Sequence, residues 1–229
     1  MTEARRGRPP KPLLSRDSIV AATLRVIDEE GVAAVGMRSV ARDLGVDAKS
    51  LYNHVDGKDA LLDAVAERLL AGLDLPDRTG DPRHDLRAIA DSFRARALAH
   101  PAAAPLVLTR QLASLEALAP TNAVLAVLRD AGAGAEEAVH LLRMLVATLI
   151  GTVLREVSAA PTFGGDDGAR REALEASGMA ALVEVAPYLA RFDRQAEFDY
   201  TVDLAIGAVL GRISDPGPGP RTPPGPTGR

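Results

Sequence analysis

The sequence predicts an all-α fold, in which an N-terminal three-helix helix-turn-helix unit is joined to a larger helical domain. Three observations carry this. Apolar residues recur at helical spacing along most of the chain, as in Ile19, Val20, Val26 and Ile27 or in Leu61, Leu62, Val65 and Leu69. The stretch RSVARDLGVDAKSLYNHVDGK, Arg38 to Lys58, sets a helix, a glycine turn, a cap and a polar helix in that order. At 229 residues, 47% hydrophobic and 25% charged, the chain is globular and long enough for one large or two small domains.

Composition removes several function classes. There is no cysteine, so disulfides and thiolate metal sites are excluded and a reducing cytoplasm is compatible. A net charge of −4 argues against a uniformly basic nucleic-acid binder. Locally the balance reverses, because Arg5, Arg6, Arg8, Lys11 and Arg16 face only Glu3 in the first sixteen residues. The N-terminus has no apolar core of a signal peptide. No membrane span is expected, since Arg143, Thr148, Gly151, Thr152, Arg155 and Glu156 interrupt the apolar run from Leu141 to Val157.

Residues 1–14 read as a flexible basic arm. Their centre, Arg6-Gly7-Arg8-Pro9, looks like an AT-hook, whose extended backbone lets two arginines follow a narrow minor groove. Ser15 then caps the first helix, which Gly31 closes. Val40, Ala41 and Leu44 give the next helix one apolar face, Gly45 ends it in a left-handed turn, and Asp47 caps its successor. That successor, Ala48 to about His54, turns only Leu51 and Val55 inward. It leaves Ala48, Lys49, Ser50, Tyr52, Asn53 and His54 outward, the pattern a helix needs to present polar tips to base edges in a major groove. Lys58 opens a further helix ending near Gly72, and the unit is bounded at residues 15–75.

From Met37 to Leu62 the residues resemble the DNA-binding domain of TetR-family transcriptional repressors. Leu51-Tyr52, His54-Val55 and the later Lys58, Leu61 and Leu62 are similar to the tetracycline-repressor branch in particular. The resemblance implies a homodimer on a palindromic double-stranded operator, released by a small molecule, with no catalytic role. It places Ala48, Lys49, Ser50, Tyr52, Asn53 and His54 on the recognition helix, with Tyr52 and His54 touching phosphates. It also makes Arg38 a base or phosphate contact and Lys58 a phosphate clamp, where charge and helix dipole act together. Ala48, Lys49 and Asn53 depart from the tetracycline repressor, so its operator is not carried over.

Residues 76–214 form the expected effector-binding and dimerisation domain, and 215–229 a disordered Pro/Gly tail. Helices are expected from Arg83 to His100, around Leu106 to Leu108, and from Pro120 to Ala131. Another is expected from Glu136 to Val157, one from Ala169 to Phe192 with Pro187 at a break or in a first turn, and a last from Phe198 to Ile213. Asp166 and Asp167 read as a solvated turn rather than a cation site. The resemblance pairs the two long helices in an intersubunit four-helix bundle, with Val146, Ile150, Val153, Val202, Ile206, Val209 and Leu210 at the interface. Gly151, Gly207 and Gly211 would admit a close neighbour.

A hydrophobic effector is expected among Ile89, Phe93, Val107, Leu128, Leu142, Leu145 and Leu149. Phe93 matches the tetracycline branch's pocket phenylalanine. Ile89 stands at its amide contact, and Asp74 and Val107 at its metal-binding histidines, so magnesium–tetracycline is not the expected effector. No cofactor, metal site or catalytic residue is expected, because His54, His84, His100 and His140 are not at ligand spacing. A regulator that activates, and a helical binding or scaffolding protein that no longer reads DNA, are the alternatives.

Overall fold

The computed structural model describes residues 14–110, 114–157 and 166–215, and its regular structure is helical. Ser15 caps α1 (Arg16–Glu30). Its hydroxyl accepts the Ser18 N–H at 3.1 Å while Ser18 Oγ accepts the Ser15 N–H at 3.0 Å, a reciprocal cap for otherwise orphan donors. Gly45, at φ 65°, closes α2 (Met37–Leu44) and lets the Val46 N–H reach the Ala41 carbonyl at 3.0 Å. α3 (Ala48–Leu51) and α4 (Gly57–Ala71) complete the unit. Ile19, Ile27, Val40, Leu51, Leu61 and Val65 are fully buried in one shared core.

The larger part comprises α5 (Pro82–Ala99), α6 (Leu106–Thr109), α7 (Ala119–Asp130), α8 (Ala135–Val157), α9 (Asp167–Glu175), α10 (Ala180–Leu189) and α11 (Arg194–Ser214). α5 packs against α7, α8 and α11, and α8 lies along α11. Between them Leu86, Leu128, Val153, Phe198, Ile206 and Val209 form a second core. Arg87 and Arg94 both lie over the buried Phe198 ring, at 5.5 and 4.8 Å from its centre.

The connection between α4 and α5 is pinned by one buried carboxylate. Asp85 accepts the Thr79 N–H at 2.9 Å, the Thr79 hydroxyl at 2.7 Å and the Gly80 N–H at 3.3 Å. The Thr79 N–H, with these other donors and the Arg78 charge, holds the Asp85 carboxyl below the usual carboxylate range, against the opposing effect of burial.

Several elements differ from the sequence expectation. The recognition helix is regular only to Leu51, and Tyr52 to His54 continue it as a turn in which the His54 and Val55 N–H groups bond to the Leu51 carbonyl. Ala169 to Phe192 is two helices parted at Gly178, whose φ of +69° no helix accommodates, and Pro187 lies inside α10 rather than at the break. The last helix begins at Arg194, because Asp193 caps it through the Gln195 and Ala196 N–H groups. Asp166 caps α9, and Asp167 pairs with Arg170 at 3.0 Å. α8, with 23 residues, is by length and composition long and apolar enough to cross a membrane, against expectation; in this fold it packs on α5, α7 and α11. The basic arm with Arg6 and Arg8, and the Pro/Gly tail from residue 216, lie outside the described residues.

Candidate functional site

The helix-turn-helix presents a polar face, most of whose side-chain tips have no partner among the described residues. Asp47 accepts the Lys49 N–H at 2.7 Å, which starts α3 and fixes its angle to α2. Leu51 and Val55 then anchor the segment in the core. Arg38, Lys49, Tyr52, Asn53 and His54 are exposed, and among the described residues their side chains make no hydrogen bond or ion pair. Ala48 and Ser50 are half-buried, and the Ser50 hydroxyl donates back to the Asp47 carbonyl at 2.5 Å. Lys58, in the first turn of α4, donates to the Ala33 carbonyl at 3.3 Å, which holds its ammonium beside the same face. Other charges of the unit are used internally, as in Arg25 with Asp43 and Arg42 with Glu30. Arg38, Lys49, Tyr52, Asn53 and His54 thus form one cluster of exposed side chains without a partner among the described residues.

The residues expected around an effector do not form one pocket. Ile89, Leu145 and Leu149 line an apolar cavity of about 50 Å³, together with Leu86, Val124 and Ile206. Phe93 and Val107 line a different slot of about 10 Å³, beside Leu69, Leu73 and Ala104. Leu128 is fully buried in the second core and Leu142 packs at its edge, and neither faces either space. The helical spacing of these residues was legible. Which face of each helix the neighbouring helices would fill was not.

The dimerisation expectation is also corrected. Val153, Val202, Ile206 and Val209 are buried in the second core of the protomer itself, while Val146, Ile150 and Leu210 keep exposed or half-buried positions. The outward residues of α11 lie about half a turn from Val202, Ile206 and Val209. The outward stripe on α8 comprises Val146, Ala147, Gly151 and, half-buried, Ile150 and Leu154. On α11 it comprises Tyr200, Leu204, Ala208 and Gly211, with Leu210 half-buried beside them. A Cβ placed at Gly151 or Gly211 would meet nothing within 4 Å, so packing inside the protomer does not explain either glycine.

A seam that sequence reasoning missed joins the two parts. Ala103 and Leu106, in and before α6, insert into the core of the helix-turn-helix unit. Arg110 donates to Asp59 at 2.9 Å and Asp63 at 3.4 Å on α4. The Ser114 N–H donates to Glu67 at 3.1 Å, and His100 Nδ1 lies 2.8 Å from Asp28 Oδ2 at the end of α1. Ala102 to Ala104 carried the only sequence signal, small residues permitting close approach.

Comparisons with known proteins fit this arrangement. Residues 19–65 match the family model described as bacterial regulatory proteins, tetR family, and residues 75–206 match the tetracyclin repressor-like C-terminal domain. An HTH-type transcriptional regulator of Saccharopolyspora erythraea is 37% identical over 147 residues, 64% of this chain and 62% of the relative. The chain thus spans less than two thirds of that protein. The tetracycline repressor protein class A from transposon 1721 of Escherichia coli is 31% identical over 176 residues, 76% of this chain and 79% of the relative. Among solved structures, the Streptomyces coelicolor protein ActR in complex with actinorhodin superposes with a TM-score of 0.79 at 26% identity, covering 88% of this chain and 99% of that one.

Proposed function

Because the chain belongs to the TetR family of bacterial regulatory proteins, we propose that it is a DNA-binding repressor of transcription that acts as a homodimer and is released by a small molecule. The observation that carries this is the set of exposed, unpartnered tips at Arg38, Lys49, Tyr52, Asn53 and His54, on a segment locked by Gly45, Asp47 and Leu51. Lys49 and Asn53, with Ala48 and Ser50, face base edges, Arg38 reaches a base or phosphate, Tyr52 and His54 touch phosphates, and Lys58 with the α4 N-terminus clamps a phosphate. Arg6 and Arg8 extend the contact into the adjacent minor groove, as homeodomain arms do. One unit spans one half-site, so a palindromic operator requires two copies. The outward stripe of Val146, Ala147, Gly151, Tyr200, Leu204 and Gly211 supplies a self-complementary surface for the second copy. In this reading the protein has no catalytic role and works in the cytoplasm, where its operator is.

The effector binds at the apolar cavity between α5, α8 and α11. Small-molecule sites usually enclose about 300–1,000 Å³. The present 50 Å³ is therefore a closed form that the effector has to widen. That the similar ActR has been solved with actinorhodin supports an effector on this fold. The same small cavity favours a second reading, a regulator that needs no effector at all.

Titration of the promoter fragment beside the protein's own gene, at several salt concentrations, tests the proposal. Specific, salt-sensitive binding is expected, and it provides the assay in which apolar compounds are screened for release. A folded dimer that fails to bind at low salt would refute DNA recognition, and binding that no compound releases would favour the second reading.

A further inference from the structure

We propose that the groove between α1, α4 and α5 binds a small organic acid through the guanidinium of Arg96. Arg96 lies near the end of α5, and its guanidinium lies against Gly72, just beyond α4. A Cβ at Gly72 would fall 2.7 Å from Nη2 and 3.1 Å from Cζ, so the missing side chain makes the seat in which the guanidinium lies. In that seat Nε is buried without a hydrogen-bond partner, and among the described residues no carboxylate or carbonyl accepts from Arg96 at all. The contrast lies on the same helix, where Arg87 is met by Asp91, Asp199 and Asp203, and Arg94 by Glu156 and Gln195. A buried unsatisfied donor in a native structure calls for a partner, and an ionised acceptor is the strongest one for a guanidinium.

Two open grooves of about 470 Å³ each flank this guanidinium. One holds Asp74 and Asp91, of which Asp74 is exposed and makes no ion pair, so it repels an anion. In the other the acids are already engaged, Asp17 by Arg68 and Glu67 by the Ser114 N–H, while Arg16 is unpartnered. Val20, Ala64 and Ala71 provide its apolar lining. This second groove therefore offers two free guanidinium groups beside an apolar wall, which suits a carboxylate attached to a ring or short alkyl body. The carboxylate engages Arg96 and Arg16, and the body covers Ala64 and Ala71. Such a ligand bridges α1 of the helix-turn-helix unit and α5 of the larger domain. Its effect on DNA affinity rests on the regulatory reading above, but its binding does not.

The test compares 2-naphthoate with its neutral isostere 2-naphthamide, titrated into the full-length protein and followed by fluorescence anisotropy. Naphthoate is expected to bind about tenfold more tightly, the worth of a charge-assisted contact. Arg96→Met, which keeps the aliphatic stem, should abolish that preference, and Arg96→Lys should retain part of it; circular dichroism confirms that both variants fold. Inorganic phosphate at matched ionic strength should compete with naphthoate and leave naphthamide unaffected. Equal affinity for the two probes, or a preference that survives Arg96→Met, would overturn the site. Operator binding measured on the same samples separates the two proposals: a lost preference with intact DNA binding refutes the anion site alone.

Discussion

Arg94→Met should destabilise the protein far more than its partly open position suggests. Arg94 Nε donates to Glu156 Oε2 at 2.8 Å and Nη2 donates to Oε1, a bidentate pair in which the glutamate side chain is only 5% exposed and the arginine 17%. Nη1 reaches Gln195 at 2.6 Å, and the guanidinium also covers the buried Phe198 ring. Methionine restores much of the packing on Phe198 but none of the charge, leaving Glu156 buried and unpaired. Removing one partner of a buried pair costs about 3–5 kcal/mol, and the lower end applies because the arginine keeps some solvent. Replacing both partners, in Arg94→Met with Glu156→Leu, removes the unpaired charge and should restore most of that loss. Urea unfolding at pH 7, at one fixed protein concentration, reads both variants through their midpoints and slopes. A single variant within about 1 kcal/mol of wild type, or a double variant in which the two losses simply add, would refute this account of how α8 is held to α5.

Four further outcomes are expected. Tyr52→Ala with Lys58→Ala should weaken operator binding about tenfold or more and lower the salt slope by about one, as should deletion of residues 1–11; an unchanged slope in filter-binding titrations would remove these groups from the interface. Leu204→Glu, on the exposed stripe of α11, should give monomers by light scattering and abolish operator binding while leaving the helical circular dichroism spectrum intact. Asp85→Asn should lower the thermal midpoint at neutral pH. Because the folded-state pKa of Asp85 is depressed, its contribution is present above the unfolded value of 3.8 and is lost as pH falls below it, so the gap to wild type should close in acid. Calorimetry with magnesium–tetracycline should show no tight binding, since Asp74 and Val107 stand where metal ligands would be needed.

The legibility of the sequence followed the range of the interactions. Capping at Ser15, the left-handed closure at Gly45 and the inward turn of Leu51 and Val55 are decided within a few residues, so the helix-turn-helix could be read directly. The assignment of helix faces in the larger domain depends on partners far along the chain. Val153 and Val209 bear the same periodic signature as Val146 and Leu204, yet the first two are buried in the second core and the others meet solvent. Periodicity finds an apolar stripe and is silent on which half of it the protomer covers. Gly178 was missed for a simpler reason: the proline nearby was the more familiar breaker, although near a helix end it was tolerated.

The seam decides how a signal could travel. The apolar cavity touches α5, α8 and α11 but not α4, so a ligand there acts on the recognition segment only through an intermediary. Two kinds of contact bind the intermediary to the helix-turn-helix unit. The ion pairs of Arg110 with Asp59 and Asp63 lie largely in solvent, where such pairs are worth about 0.2–1 kcal/mol. Leu106, 5% exposed in the first core, is worth about 1.5–3 kcal/mol by burial alone, and Ala103 adds to it. The apolar wedge outweighs the salt links, so it is the stronger tie between residues 103–106 and the core of α1 and α4. The proposed release mechanism makes α5 the moving element, because it carries Ile89 on the cavity wall and ends at Ala99, a few residues before the wedge. In the proposed mechanism an effector that prefers the widened cavity would shift α5, and the wedge would pass that shift to α4 and the recognition helix; the change in operator affinity can be no larger than that preference.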